Sequence, residues 1–231
     1  MIQIHNAVPR PDAGLGVVRA EGLGAGPLPP GAEAQLAALL AARRAPLSEA
    51  EEAVRRAARD VLRNGRYKPT GRGKPASEYL LRAAAEGAFP RVNAPVDAAN
   101  LISLQTVLPV SLWDLDRAGT ERFRFRLGRA GEAYVFNRAG QEIRLEDLVV
   151  GCGLGDEGAE VPLVNPVKDS QATKTTAATC RVAAVLYTPL EAVPAEVLAG
   201  HCAAFAALLA GCGPAVDTAF AVVQPGETKR V

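Results

Sequence analysis

The sequence predicts an α+β fold, with helices concentrated in the first half of the chain and strands in the second. As far as Pro109, apolar residues recur at helical spacing and are bounded by capping signals. After Pro109 the apolar residues alternate with polar ones, which is the period of a strand. Hydrophobic residues make up 48% of the 231 residues. We therefore expect a single domain over 1–231, with 1–65 as a strand-plus-helices portion.

The N-terminal portion begins with a predicted strand, GLGVVRAEGL, and a Gly/Pro-rich hinge. A first helix is predicted in AEAQLAALLAARR. The second helix opens with a capping box, because Ser48 is a good N-cap and Glu51 follows three residues later. This helix is expected to run to Gly65, a residue suited to ending it.

The remaining elements follow from the same signals. A third helix is predicted from Ser77 to Gly87, and a fourth carries Pro95 in its first turn and ends near Pro109. The predicted strands are VSLWDLD, RFRFRLG, AYVFN, QEIRL, DLVVGCG, CRVAAVLYTP and TAFAVVQPG, with a helix in PAEVLAGHCAAFAALLAGCG before the last. The segment 156–179 shows no regular period and is expected to be a long polar connection.

The net charge, the apolar runs and the cysteines limit the classes of function that the protein could have. The net charge of +1 neither requires nor excludes nucleic acid. No secretory signal opens the chain and no apolar run approaches the roughly 20 residues of a membrane span, so we expect a soluble, cytoplasmic protein without membrane partners. The four cysteines form no C-x-x-C pair and are expected to be reduced and buried. Neither a metal nor another cofactor is expected, since metal-ligand spacing and dinucleotide fingerprints are missing.

Histidine chemistry is not favoured, because the chain has only two histidines. His5 is expected in a mobile terminus, and His201 lies inside an alanine-rich helix. Two polar features therefore remain as candidate functional sites.

The first feature is a basic stripe that begins on the second helix and extends into the loop after it. Residues on one helical face and in this loop could neutralise successive RNA phosphates. A solvated helix face is the alternative interpretation. The residues of the basic stripe are Arg55, Arg59, Arg63, Arg66, Lys68, Arg72 and Lys74.

The second feature is a polar set at the start of the fourth helix. Asn93, Asp97 and Asn100 stand at i, i+4 and i+7 in an apolar stretch, RVNAPVDAANLIS. Buried amides and carboxylates need hydrogen-bond partners. Asn93 could therefore cap the helix while Asp97 and Asn100 hold loops, or the set could line a pocket. Further candidates for that pocket are Ser111, Asp114, Asn165, Lys168, Asp169, Thr173 and Lys174.

These residues carry a family likeness. The run PASEYLLRAAAEGAFPRVNAPVDAANLISLQTVLPVSLWDLDRAG, together with GEAYVFN and KDSQATKTT, resembles the B3/B4 domain of the phenylalanyl-tRNA synthetase beta subunit, and freestanding proteins built from it most of all. The resemblance implies a β-sandwich-like core flanked by helices. It also implies hydrolysis of wrongly charged tRNA, or binding of tRNA or an amino acid without catalysis.

The resemblance further implies site residues. The family's editing pocket uses a Thr-Asn pair on the helix and a His shortly after the following Pro. Here Asn100 keeps the Asn, Ala99 replaces the Thr, and Ser111 stands where the His would be. The leading hypothesis is a trans-acting aminoacyl-tRNA deacylase in which Asn100 and Ser111 position the water or the ester. Its partner would be aminoacylated tRNA rather than DNA, and the alternative is a non-catalytic tRNA or amino-acid binding module.

Overall fold

The computed structural model, which describes residues 1–156 and 158–231, contains six α-helices and eleven strands besides short 3-10 turns. The helices are α1 (Pro30–Ala42), α2 (Glu49–Val61), α3 (Ala76–Ala85), α4 (Ala94–Thr106), α5 (Leu115–Ala118) and α6 (Ala195–Ala210). The strands are β1 (Gln3–Asn6), β2 (Ala13–Glu21), β3 (Val110–Asp114), β4 (Arg122–Leu127), β5 (Ala133–Val135), β6 (Glu142–Arg144), β7 (Val149–Leu154), β8 (Glu160–Val164), β9 (Arg181–Pro189), β10 (Asp217–Val223) and β11 (Thr228–Arg230). The predicted α+β class is confirmed.

Two sheets share one core. The first has the strand order β10-β2-β9-β3 and is antiparallel throughout. The second has the order β11-β1-β4-β7-β8, in which only the β1–β4 pair is parallel. Strands β5 and β6 form a separate hairpin. Strands β3 and β8 are therefore edge strands of their respective sheets.

Alternating residues of the central strand β9 face two different cores. Val185 packs with Trp113 and Phe125 in the core between the sheets. Its neighbours Ala184 and Leu186 pack instead with the helices, in a second core that contains residues of α1, α4 and α6. A strand buried on both faces reads as a continuous apolar run, as CRVAAVLYTP does.

Strand β4 shows why RFRFRLG alternates. Phe123 and Phe125 point into the core between the sheets. Arg124 and Arg126 lie on the opposite face of the strand, where exposed Arg124 and buried Arg126 both pair with Glu160 of β8, with N–O distances of 3.3 and 2.6 Å. Strand β8 lies in the segment predicted to be an irregular connection, and that prediction was wrong. Two glycines precede β8 and charged Glu160 opens it, so it carries little apolar period.

The N-terminus is also more ordered than predicted. Strand β1 lies between β11 and β4, and His5 is within hydrogen-bonding distance of the Glu227 carbonyl and the Thr228 hydroxyl. Ile2 and Ile4 alternate with polar residues, but the alternation covers only a few residues and its partner strand β11 lies near the other end of the sequence. Cys180 is another correction, because it is exposed whereas Cys152, Cys202 and Cys212 are buried as expected.

Helix boundaries differ from the predictions mainly at their ends. The predicted capping box is confirmed, since Ser48 accepts from the Glu51 backbone N–H and the Glu51 carboxylate accepts from the Ser48 N–H. Helix α2 ends at Val61 rather than at Gly65, whose left-handed φ of +45° belongs to the following turn. The strand predicted through Asp116 stops at Asp114, which accepts from the Arg117 N–H and so caps α5.

Helix α6 packs directly on strand β2 because Gly16 has no side chain. A Cβ at Gly16 would lie 2.6 Å from both the Cys202 sulfur and a Leu198 methyl. We expect Gly16→Ala to destabilise the fold by about 1–3 kcal/mol through overpacking. Urea unfolding should show this as a lower midpoint with an unchanged m-value.

The matched control is Gly200→Ala in α6. A Cβ at Gly200 meets no other atom within 4 Å, so this change should instead stabilise the helix by up to about 1 kcal/mol. Equal effects of the two substitutions would contradict the packing explanation.

Candidate functional site

A cleft of about 1180 Å³ opens between the helical half of the molecule and the hairpin β5–β6. The loop before α2, one face of α2 and α3, the loop 71–75, the end of β5 and the segment 167–174 contribute its walls. Its polar and aromatic lining residues are Arg43, Arg55, Arg72, Lys74, Glu78, Tyr79, Arg82, Phe136, Asn137, Lys168, Asp169 and Lys174.

The cleft has a strong excess of positive charge. Seven cationic side chains line it against two carboxylates, Glu78 and Asp169. Arg43 is paired with Glu51, and Arg55 with Glu52 and Glu78. The other five, namely Arg72, Lys74, Arg82, Lys168 and Lys174, form no ion pair with any carboxylate of the described residues. Such an uncompensated lining is typical of a site for an anionic ligand.

Asp169 is the carboxyl group of the cleft whose pKa is raised by its surroundings. It is enclosed by protein on every side except the cleft, and this burial raises the pKa of the carboxyl to about 6. Its Oδ1 accepts from the Ser111 hydroxyl at 2.6 Å, and its Oδ2 accepts from the Leu112 N–H at 3.3 Å. These hydrogen bonds and the charge of Lys174 act in the opposite direction and limit the rise of the pKa. Near neutral pH the carboxylate is therefore ionised, yet basic enough to accept a proton.

A chain of hydroxyls extends from Asp169 into the core. Ser111 has one hydrogen, and the carboxylate at 2.6 Å is a shorter partner than the Asn165 carbonyl at 3.0 Å. Because Ser111 donates to Asp169, the Tyr187 hydroxyl 3.0 Å away must donate to Ser111. Tyr187 is buried, which raises its pKa well above the ordinary value, so it remains a donor.

Asn165 shapes the turn that presents Lys168 and Asp169. Its side-chain oxygen accepts from the backbone N–H groups of Val167 and Lys168, each at 2.8 Å. Its amide nitrogen donates to the Tyr134 hydroxyl at 2.5 Å, and that hydroxyl donates to the Lys168 carbonyl. The turn is thus fixed from both sides.

The two lysines of the cleft wall contact Phe136 in different ways. Lys174 Nζ donates to the Phe136 carbonyl at 2.6 Å, and Lys168 Nζ lies 4.1 Å from the centre of the Phe136 ring. Burial lowers the pKa of both ammonium groups, and the charge of Arg72 lowers that of Lys168 further. Both ammonium groups are therefore fixed by the hairpin on the wall of the cleft.

The polar set of α4 makes local contacts. Asn93 is the N-cap, accepting from the Val96 N–H at 3.1 Å and donating to the Thr175 hydroxyl at 3.0 Å. Buried Asp97 pairs with Arg91 and accepts from the Val92 N–H. Half-buried Asn100 has no side-chain hydrogen bond to the described residues. None of the three lines the cleft.

The other predicted pocket residues divide into two groups. Lys168, Asp169 and Lys174 line the cleft, whereas Asp114, Asn165 and Thr173 lie outside its walls. Asp114 accepts from the Thr179 hydroxyl at 2.5 Å, in addition to capping α5. Ser111 is fully buried and can act only through Asp169.

The residues of the basic stripe also fall into two groups, one paired with carboxylates and one exposed. Arg55 and Arg59 both pair with Glu78 of α3, and Arg63 approaches Asp60 at 3.5 Å. Arg66, Lys68, Arg72 and Lys74 are exposed, and Arg66 approaches Glu146 only at 3.8 Å. The charge that remains available to a ligand therefore lies on the loop after α2 rather than on the helix.

Several cleft residues were not predicted from the sequence. Tyr79 is 54% exposed, and its ring lies 5.7 Å from the Arg82 guanidinium. These two residues project from α3, and Phe136 comes from the hairpin. An exposed aromatic residue beside an arginine in SEYLLRAAAEG was the one available signal, since the approach of the hairpin is a tertiary event.

The described part of the chain contains no cluster of three His, Cys, Asp or Glu side chains able to hold a metal ion. Within that same part, no helix combines the length and the apolarity needed to cross a membrane.

The comparisons with known proteins give a distant structural likeness and no match in sequence. No protein-family model matches the chain, and neither does any curated protein. Among solved structures, it is similar to an N-terminal fragment of the phenylalanyl-tRNA synthetase beta subunit from Pyrococcus horikoshii, with a TM-score of 0.38 and 13% identity. The match covers 87% of this chain and 48% of the fragment, so the chain spans about half of its length.

Proposed function

We propose that this protein binds the aminoacylated end of tRNA in the cationic cleft and hydrolyses the aminoacyl ester. The observation that carries the proposal is the meeting, in one cleft, of unpaired cations with a largely buried carboxylate whose pKa is about 6. The choice of an RNA ester as substrate rests on the resemblance of the sequence to B3/B4 domains.

The size and lining of the cleft suit a nucleoside that carries an amino acid. Its volume of about 1180 Å³ exceeds the roughly 300–1,000 Å³ typical of small-molecule sites. Tyr79 offers an exposed ring on which a base can stack, and Lys74 and Arg82 offer charge to the phosphates. These features support binding independently of any chemistry.

The chemistry requires an activated water. The Asp169 carboxylate accepts a proton from water as the oxygen attacks the ester carbonyl carbon. The bond to the ribose oxygen then breaks, and that oxygen takes up the proton held by Asp169, which leaves a free amino acid, an uncharged tRNA end and a regenerated carboxylate. Lys174 on the same wall stabilises the negative charge that develops on the carbonyl oxygen. Ser111 is a positioning residue, since its hydroxyl orients the carboxylate.

The direct test is a panel of mischarged tRNAs incubated with the protein. Hydrolysis of at least one member well above the uncatalysed rate is the expected result. Rates at background for every member would refute the enzymatic proposal.

Ser111→Ala supplies a sharper prediction. The hydroxyl of Ser111 lowers the pKa of Asp169, so its removal should move the midpoint of the pH–rate profile upward from about 6. We expect the rate at pH 7 to fall about tenfold or more, because general-base catalysis contributes roughly 10²–10⁴-fold and depends on orientation.

The matched control is Ser103→Ala. Ser103 is equally buried and donates to the Leu108 carbonyl at 2.7 Å, away from the cleft. Both substitutions should cost about 1–3 kcal/mol of stability, but only the change at Ser111 should shift the pH profile. A shift in both variants would mean that the profile reports stability rather than Asp169.

A non-catalytic binding module is the second candidate. It is favoured by the position of Asn100, which the resemblance assigns to catalysis but which lies outside the cleft. This candidate predicts salt-dependent tRNA binding that Asp169→Asn and Ser111→Ala leave intact, together with background hydrolysis throughout.

A further inference from the structure

A second cavity adjoins the cleft. It has a volume of about 520 Å³ and lies beside the hairpin β5–β6. Three of its lining residues, Arg72, Phe136 and Lys168, also line the cleft, so these three form a dividing wall between the two spaces. The residues that line only the small cavity are Tyr67, Gly73, Gln141, Glu142, Ile143 and Arg144.

The small cavity combines apolar surface with positive charge. The Tyr67 ring is held in place because its hydroxyl donates to the Gly73 carbonyl at 2.7 Å. Ile143 and Phe136 add apolar walls. Arg144 is exposed and pairs with no carboxylate among the described residues. In total, three cationic residues, Arg72, Arg144 and Lys168, line the small cavity against one carboxylate residue, Glu142.

The dividing wall carries two like charges without a counter-ion. Arg72 and Lys168 are close enough for the guanidinium charge to lower the pKa of the ammonium group. Neither side chain has a carboxylate partner in the described ranges 1–156 and 158–231. Two unshielded cations repel each other, and an anion placed between them would remove that repulsion. Both side chains line both spaces, so an anion seated on this wall would meet positive charge from either residue.

We propose that the cleft and the small cavity are two subsites of one groove for a single-stranded RNA end. A phosphodiester lies on the dividing wall between Arg72 and Lys168. The terminal nucleoside occupies the cleft, because Asp169 lines only that space. The preceding nucleoside occupies the small cavity, beside Tyr67 and Ile143 and within reach of Arg144.

This inference rests on the proposed function for the identity of the ligand, but its evidence is separate. The volume of the small cavity falls within the range of roughly 300–1,000 Å³ that suits one small-molecule unit. Aromatic and basic side chains interleaved along a groove are the usual means of holding single-stranded nucleic acid without sequence preference. The substrate class is therefore an acyl ester on at least a dinucleotide end.

The test compares three ligands by calorimetry at constant salt: adenosine, adenosine 5′-monophosphate, and the dinucleoside monophosphate CpA. Adenosine should bind most weakly, the monophosphate more tightly through the dividing wall, and CpA most tightly. We expect each step to be about fivefold or more, the lower bound for one stacked base or one phosphate contact.

Two variants separate the contributions. Arg144→Ala should remove most of the gain of CpA over the monophosphate and leave the monophosphate affinity unchanged. Arg138→Ala is the matched control, because Arg138 is exposed in the same hairpin but lines neither cavity. It should leave all three affinities unchanged.

CpA binding no more tightly than the monophosphate would overturn the second subsite, as would equal losses in Arg144→Ala and Arg138→Ala. The deacylation assay decides the proposed function separately. If the protein hydrolyses mischarged tRNA but binds CpA no more tightly than the monophosphate, the proposed activity stands and the second subsite does not. Failure of all three ligands to bind would overturn the two-subsite groove, while the proposed function would still be decided by hydrolysis of mischarged tRNA.

Discussion

Asp169→Asn is expected to lower the rate of aminoacyl-tRNA hydrolysis at pH 7.5 by about 100-fold or more. The amide has nearly the same shape as the carboxylate and can still accept from Ser111, but it cannot take a proton from water. The affinity for tRNA should remain within about twofold, since the cations of the cleft are untouched. Single-turnover kinetics with a mischarged tRNA, varied over protein concentration, would separate the two quantities.

The pH dependence of the hydrolysis rate tests whether Asp169 is the general base. In the unmodified protein the rate should rise with pH and level off above a midpoint near 6, because only the ionised carboxylate is a base. In Asp169→Asn this dependence should disappear. Asp116→Asn is the control, because Asp116 is exposed and does not line the cleft. Persistence of the midpoint in Asp169→Asn would assign the base to another group.

Stability should depend on pH in the opposite direction. The pKa of Asp169 is about 6 in the folded protein and 3.8 at its ordinary value, so the folded state holds the proton more tightly. The protonated Asp169 carboxyl therefore stabilises the folded state. This contribution to the free energy of unfolding is complete below about pH 4 and is lost as the pH rises through 6, to an extent of about 3 kcal/mol. Urea unfolding across this range should therefore show a loss that Asp169→Asn does not show.

Reversal of the exposed charges on the loop after α2 is expected to have a large effect on tRNA binding. We expect Arg72→Glu combined with Lys74→Glu to weaken tRNA binding by about 10–100-fold in low salt and to reduce the salt slope by about 2. Both side chains are exposed and line the cleft. Filter binding from 50 to 200 mM salt would measure both quantities.

The control is an equal charge change on the far sheet, Lys229→Glu with Arg230→Glu in β11, which lines no part of the cleft. Reversal at Arg59 is a poor choice, because it would place a third carboxylate beside Glu78 and Glu52 and threaten the fold. Equal losses in the two double variants would show that binding is merely a response to net charge.

The sequence predicts the inner strands well and the outer ones poorly. Strands β2 and β9 are recognisable because burial makes their runs apolar, and Ser48 with Glu51 marks α2 by a local contact. Strands β1, β8 and β11 are paired through distant parts of the chain and carry charged or polar residues. These strands have only four, five and three residues, which is too few for a period to be recognised from the sequence.

The candidate site was predictable in the same uneven way. Lys168, Asp169 and Lys174 stand out because charges crowd into one short polar segment. Asn93 and Asp97 stand out equally, yet a polar residue near a helix start can serve either the backbone or a ligand. Only the tertiary structure, which brings Phe136 and Tyr79 to the same cleft, separates the two cases.

The hydrogen bond from Ser111 to Asp169 joins the open edges of the two sheets. Ser111 belongs to β3, and Asp169 follows β8. A ligand that strengthens this hydrogen bond should therefore slow the exchange of amide protons in both edge strands, β3 and β8. The hydrogen bond proposed to orient the general base would therefore also limit the movement of the two sheets relative to each other.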